Sequence, residues 1–335
     1  MKITKILVAL SFLFAVAAQA GEMTVTGNMQ ATYQSEREGA NSTTGNPLGM
    51  DKELKFSGTT ELDNGMTVSV MQDTSDALAF GNSQISFGNV MGLATVYVGS
   101  DHDPIDAIDD ITPSAYEEAN GSGSGISYGD VGINAGSMGL GTKFSVAGIS
   151  YNGKYYPKTD GVKTADNATS GTVTANDGSG QSHTIAVDAG ALSGGQLDGL
   201  TVTVGVSEHN FTAAGAEPAE EGTVALNYAT GAVKFGYQKK IHTDGSETLL
   251  PSRFYKDDVI GLAYAVNDSL SVSINRYTSM SHRNAATDLE QETDALNVGY
   301  TVGGMTIGLQ RATTDNAGYT TGDDDSTTLG VSVAF

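Results

Sequence analysis

The sequence predicts an all-β protein: one antiparallel sheet of sixteen strands closed into a barrel that crosses a membrane. Three observations carry this. Apolar and polar residues alternate with period two through windows of about ten residues, the length a tilted strand needs to cross the hydrocarbon. The connections between those windows alternate between tight turns and long polar loops, the asymmetry of the two rims of a membrane barrel. Beyond the N-terminal segment no apolar run approaches the ~20 residues of a spanning helix, so a crossing must be made by a closed sheet.

The elements follow in order. Met1 to Lys5 carries two lysines, Ile6 to Ala18 is apolar or small, and Ala18-Gln19-Ala20 offers small side chains to a signal peptidase. This is a secretory signal, predicted to be cut after Ala20; the apolar run is too short for an anchor and no stop-transfer charges follow. Residues 1–20 are thus the signal and 21–335 a single barrel domain. Strands are predicted at 22–34, 51–62, 66–74, 82–88, 92–99, 124–129, 141–152 and 181–190, then at 199–209, 222–230, 232–241, 254–266, 269–279, 291–302, 304–313 and 325–335.

The alternation is clearest at the end, where Leu329, Val331, Val333 and Phe335 share one face and Thr328, Gly330, Ser332 and Ala334 the other. It recurs in Leu200, Val202, Val204 and Val206, in Val224, Leu226 and Tyr228, in Ile260, Leu262, Tyr264 and Val266, in Leu296, Val298, Tyr300 and Val302, and in Met305, Ile307 and Leu309. None of these windows has the 3.6 period of a helix. Tight turns are expected at Asp63-Asn64-Gly65, Thr230-Gly231, Asn267-Asp268 and Gly303-Gly304, built from residues that tolerate hairpin geometry. Long connections are expected at about 35–50, 100–123, 153–180, 209–221, 241–253, 279–291 and 313–325. The windows 82–88 and 124–129 are short and 131–140 is glycine-rich and unplaced, so fourteen or eighteen strands satisfy the same pattern.

Composition agrees. Charged residues are 17% and apolar ones 39%, both below the usual globular share, as a wet lumen with no dense apolar core requires. Mean hydropathy is accordingly near neutral, at −0.16. The absence of cysteine excludes a disulfide framework, thiolate zinc sites and thiol chemistry. A net charge of −22, more acidic once Lys2 and Lys5 leave with the signal, argues against nucleic acid and would draw cations to a charged aperture.

Phe56-Ser57-Gly58 followed by Glu61-Leu-Asp-Asn-Gly-Met66, Thr95-Val-Tyr-Val-Gly99 running into Ser100-Asp-His-Asp-Pro-Ile-Asp-Ala-Ile-Asp-Asp110, and Gly125-Ile-Ser-Tyr128 with Phe144-Ser-Val-Ala-Gly-Ile-Ser-Tyr151 lie in one order along the chain. With the terminal Phe335, this set resembles the general, trimeric, sixteen-stranded porins of Gram-negative bacteria. The resemblance implies an outer-membrane location and a homotrimer among lipid and lipopolysaccharide. It also implies passive diffusion of small hydrophilic solutes and ions, and an assembly signal at Phe335 read by the barrel-assembly machinery. It further implies that loop three, here about Ser100 to Gly123, folds into the barrel and narrows the pore.

That segment carries Asp101, Asp103, Asp106, Asp109, Asp110, Glu117 and Glu118, and no Lys or Arg. In the family such a loop faces basic residues on the wall. If Leu54, Phe56, Gly58 and Leu62 face lipid, then Glu53, Lys55, Ser57 and Glu61 face the lumen. By the same parity Lys143, beside Phe144, and Lys234, between Val233 and Phe235, point inward, whereas Arg276 and Arg311 share the apolar face and sit at a rim. Three lysines against seven acids predict a preference for cations. The plainer alternative is that the acidic run is a solvated outer loop.

Other sites are poorer. Asp101 with Asp103, or Asp323 with Asp325, offers oxygen ligands for calcium but lacks EF-hand spacing; no other cofactor is expected. His102, His183, His209, His242 and His282 show no metal-ligand spacing. No Ser-His pair suits a membrane phospholipase, and Gly121 to Gly125 lacks the Lys of a phosphate loop, so no enzyme is expected. The remaining alternative function is a non-conducting barrel, an adhesin or structural protein.

Overall fold

The structure, a computed structural model, describes residues 23–36, 46–74, 80–119, 131–159, 177–213, 215–243, 245, 254–282 and 289–335. The predicted signal lies outside them. The sixteen strands are β1 (Met23–Glu36), β2 (Leu48–Glu61), β3 (Thr67–Thr74), β4 (Phe80–Val90), β5 (Ala94–Gly99), β6 (Gly139–Val146), β7 (Ile149–Tyr156) and β8 (Asp177–Asp188). They continue as β9 (Leu200–Phe211), β10 (Ala219–Thr230), β11 (Val233–Thr243), β12 (Phe254–Ala265), β13 (Leu270–His282), β14 (Leu289–Val302), β15 (Met305–Asp315) and β16 (Asp324–Ala334). Each pairs antiparallel with its neighbours in sequence, and β1 pairs with β16, so the sheet closes.

Closure leaves no sheet edge among the paired strands, as lipid demands. The seam is tied by Gly27 N to Phe335 O at 2.9 Å and Phe335 N to Gly27 O at 3.0 Å. The Phe335 ring lies over the outer face of Gly27, where a Cβ would come within 2.6 Å of it.

Directly opposed residues point to the same side of an antiparallel sheet, so the register carries the two faces round the barrel. Val224, Leu226, Phe235, Ile260, Leu262, Ile274, Leu296 and Leu309 form the outer apolar belt and are exposed in the isolated chain. Near the tight turns Tyr228, Tyr264, Tyr300 and Phe335 stand outward, an interfacial girdle of aromatic residues. The lumen face is polar and closely packed: Gln238, Asn297, Gln310, Thr293 and Ser279 are fully buried there.

One expectation is corrected. The window 141–152 is not one strand but two, β6 and β7, turning at Ala147-Gly148. The window 124–129 lies outside the described residues, and the count of sixteen is reached without it. The described part of the connection after β5 resumes at Val131 and runs to Met138, where β6 follows. The glycine-rich stretch is then its return leg and the first residues of β6, and the next long loop begins only after Tyr156.

Candidate functional site

Loop three leaves β5 at Gly99 and runs along the inner wall, because that wall offers amide and hydroxyl groups to its backbone. Ile105 N donates to Ser182 Oγ on β8 at 3.0 Å. Ile111 N donates to Gln238 Oε1 on β11 at 3.2 Å, and Gln238 Nε2 donates to Ile108 O at 2.7 Å. On β13, Ser273 Oγ accepts from Ala115 N at 2.9 Å and Asn275 Nδ2 donates to Pro113 O at 2.9 Å. Gln310 of β15 donates to Glu118 O at 2.8 Å, and Gln30 of β1 to Tyr116 Oη at 3.0 Å. The outgoing leg thus spans the wall from β8 round to β1.

The return leg is clamped by one carboxylate. Glu221 on β10, with no exposed side chain, accepts from Gly132 N at 3.0 Å and Ile133 N at 3.1 Å, with His242 Nδ1 3.0 Å away. Asn134 Nδ2 adds bonds to Ser207 Oγ at 2.9 Å and Glu208 O at 3.0 Å on β9. None of these anchors was legible in the chain, since a polar residue of lumen parity carries no mark of what it will bind.

The seven acids of the outgoing leg divide. Asp106 is exposed, and Asp101, Asp109, Asp110, Glu117 and Glu118 are partly so. Asp103 is only 1% exposed and packs toward Ser182 and Tyr156, so it does not stand in open lumen as expected. Burial raises its pKa, and nearby Glu221 reinforces the shift. Burial also holds the Glu118 carboxyl above its ordinary value, with like-charged Asp110 and Glu117 adding to the effect. Asp101 pairs with its neighbour His102 at 3.1 Å.

On the wall, Lys55 and Lys143 face the lumen as parity predicts, close enough to loop three to act on His102. Burial lowers the His102 pKa, and Lys143, Lys55 and Lys154 lower it further against the pull of Asp101. Lys234 also has lumen parity, but it is exposed beside the tight turn at 231–232, six residues along β11 from Lys240. At ~3.3 Å per residue that puts it about 20 Å down the strand, so it does not oppose loop three.

Two buried lysines take that part instead. Lys154 Nζ donates to Asp101 O at 3.1 Å and His102 O at 3.0 Å, and lies 4.8 Å from the Tyr156 ring centroid. Lys240 Nζ is 3.6 Å from Asp110 Oδ1 and 4.9 Å from the Tyr277 ring centroid. Lys240 shares the parity of Lys234 and was legible on that ground.

Arg276 and Arg311 do face outward. They are held by carboxylates of neighbouring strands, Arg276 Nη2 with Asp294 Oδ2 at 2.6 Å and Arg311 Nη2 with Asp325 Oδ2 at 3.0 Å. Asp325 is thereby engaged in an ion pair, and Asp323 accepts from Asn316 N at 3.4 Å. Among the described residues no three acidic or histidine side chains converge as metal ligands, at Asp101 and Asp103 or elsewhere.

A closed sixteen-stranded barrel with an apolar, aromatic-rimmed outer face and a polar lumen traversed by an inward loop defines the class of outer-membrane channel-forming proteins. The model of the Gram-negative porin family matches residues 7–335, and the chain belongs to that family. Its place is the outer membrane. Similar solved structures include OmpT, an outer membrane protein of Vibrio cholerae, with TM-score 0.68 and 11% identity over 96% of this chain and 100% of that one. They also include OmpF of Salmonella typhi in complex with daunomycin, with TM-score 0.66 and 14% identity over 94% of this chain and 98% of that one. A third is an anion-selective porin from Comamonas acidovorans, with TM-score 0.64 and 15% identity over 94% of this chain and 100% of that one. At these identities the likeness is one of fold. Comparison with curated proteins gives no match.

Proposed function

We propose that this porin passes small hydrophilic solutes and ions passively, with a preference for cations, through an aperture between loop three and the wall of β2 to β7. The observation that carries the reading is the balance of charge along loop three. Seven acids lie on its outgoing leg, and among the described residues Lys55, Lys143, Lys154 and Lys240 are lysines that act on that leg. With Asp103 buried and set aside, six acids still outnumber four lysines, and His102 is biased toward its neutral form. Excess carboxylate in a narrow gap raises the local cation concentration. The anion selectivity named for the Comamonas porin does not transfer, since selectivity follows lumen charge and not the barrel.

Four accompanying readings belong to the same proposal. Residues 1–20 are an export signal, and Phe335 is the mark that the assembly machinery reads. The protein is a homotrimer joined through β1 and β2. In support, their outer face carries Tyr33, Leu48 and Met50 at the upper ends with the single charged side chain of Lys52 opposite Met29, whereas the outer faces of β11 to β16 carry the ion pairs of Lys239, Arg276 and Arg311. The protein is a channel embedded in lipopolysaccharide and not an enzyme. Insertion of the purified protein into a planar bilayer tests the core of this: stepwise conductance is expected, in groups of three. A folded barrel that never conducts would replace the reading by a structural or adhesive one.

A further inference from the structure

Loop three lies on a row of glycines. The lumen-facing positions beneath its outgoing leg are Gly205, Gly236, Gly261, Gly299, Gly308 and Gly330, on β9, β11, β12, β14, β15 and β16. A Cβ at Gly205 would stand 2.8 Å from Ile108 Cδ1, and one at Gly261 2.5 Å from Pro113 O, well inside the ~3.5 Å of ordinary contact. At Gly236 it would strike Pro113, at Gly299 the Ala115 carbonyl, and at Gly308 and Gly330 the ring and hydroxyl of Tyr116.

The last two matter most. Gly308 and Gly330 are directly opposed across β15 and β16, so their missing side chains open one notch spanning two strands. Tyr116 fills it, its ring over Gly308 and its hydroxyl over Gly330, where Gln30 Nε2 donates to Tyr116 Oη at 3.0 Å. The next two residues are Glu117 and Glu118, whose carbonyls accept from Gln310. We infer that Tyr116 is a positioning residue whose seat in the Gly308 and Gly330 notch sets how far the Glu117 and Glu118 carboxylates stand into the lumen. The inference rests on loop three bounding the aperture. It adds that the depth of the glycine bed, and not the hydrogen bonds alone, fixes the width of that aperture.

The consequence has a direction. A methyl group at Gly330 or Gly308 must lift the tyrosine off the wall and push the loop inward, which narrows the passage. The test uses the full chain with Y116F, Y116A, G330A, G308A and the double variant Y116A/G330A. Each is read by single-channel conductance and by the mobility of a nitroxide on Glu117→Cys, a unique label site because the chain has no cysteine. Y116F, which keeps the ring over Gly308 but gives up the Gln30 bond, is expected to lie closer to the parent than Y116A in both readouts. Y116A should free the label and raise current noise, and G330A should lower conductance. The double variant should behave as Y116A alone, because the added methyl then meets only the flexible Gln30 amide, at 3.3 Å; such non-additivity marks direct contact.

The inference is overturned if G330A and G308A both leave conductance and label mobility unchanged, or if the effect of G330A persists undiminished in the Y116A background. A parent barrel that conducts nothing while its label is held, and is freed by Y116A, would support the notch and sink only the aperture reading.

Discussion

Glu118 stands where burial and like charge act in the same sense, and that gives loop three a built-in response to acid. Its carboxyl is held above the usual range by burial and by Asp110 and Glu117. As pH falls from neutral, Glu118 therefore takes up its proton before ordinary carboxylates do. Cation preference should decline with acidification, beginning above the normal carboxylate range. E118Q should start with a weaker preference and show a flatter pH profile in zero-current potential measurements; an unchanged profile would contradict this.

Lys240 sits at the same scale but serves stability. It has no exposed side chain and faces Asp110, so K240M leaves that acid without its lysine at the wall. Breaking a pair of which only the lysine is fully buried costs about 1–2 kcal/mol, less than a fully buried pair, to be read from denaturant unfolding of the folded barrel. K234M, at an exposed site, should stay within about 0.5 kcal/mol of the parent. Parity alone reached Lys55, Lys143 and Lys234, yet it says only which side of the wall a residue faces. It does not give the height at which loop three crosses, which is why Lys234 proved distant.

Among the elements, the hairpin of β6 and β7 shows where pattern reading failed and why. Outward residues are even-numbered in β6, Phe144 and Val146, but odd-numbered in β7, Ile149 and Tyr151. That change of phase at Ala147-Gly148 was present in the sequence, but the turn lacks the Asn-Gly or Asp-Gly signature that usually marks it. Both turn residues have positive φ, 50° at Ala147 and 81° at Gly148, as a type I′ turn requires. Only glycine adopts that region without cost, and an alanine there costs about 1 kcal/mol. A147G should therefore raise the unfolding free energy by up to about 1 kcal/mol, partly offset by the entropy glycine adds to the unfolded chain. A single strand over 141–152 puts Lys154 in a loop and leaves 131–138 without a place, whereas the hairpin sets Lys154 on β7. Strands with an unbroken phase, such as β12, β14 and β16, were legible to within a few residues, because a lipid-facing side permits no slip of register.

For the whole molecule, the outer surface was the more legible half. Lipid imposes one rule on every outward position, so alternation and loop length sufficed for a closed barrel, although the expected count of sixteen included the window 124–129 and joined β6 and β7 into one strand. The lumen obeys no such rule. Its polar residues are selected by what loop three must touch, through bonds between residues more than a hundred positions apart, such as Gln238 with Ile108 and Gln310 with Glu118. Function depends on that inner half: the carboxylates of loop three against the few lysines of the wall. The most direct measurement is the zero-current potential across a KCl gradient for the parent and for a variant with Asp106, Asp109, Glu117 and Glu118 all converted to their amides. The expected result is a cation-selective parent whose potential moves toward zero, or past it to anion selectivity, in the variant. An anion-selective parent, or a cation-selective one whose potential is indifferent to the four substitutions, would contradict the assignment of selectivity to loop three.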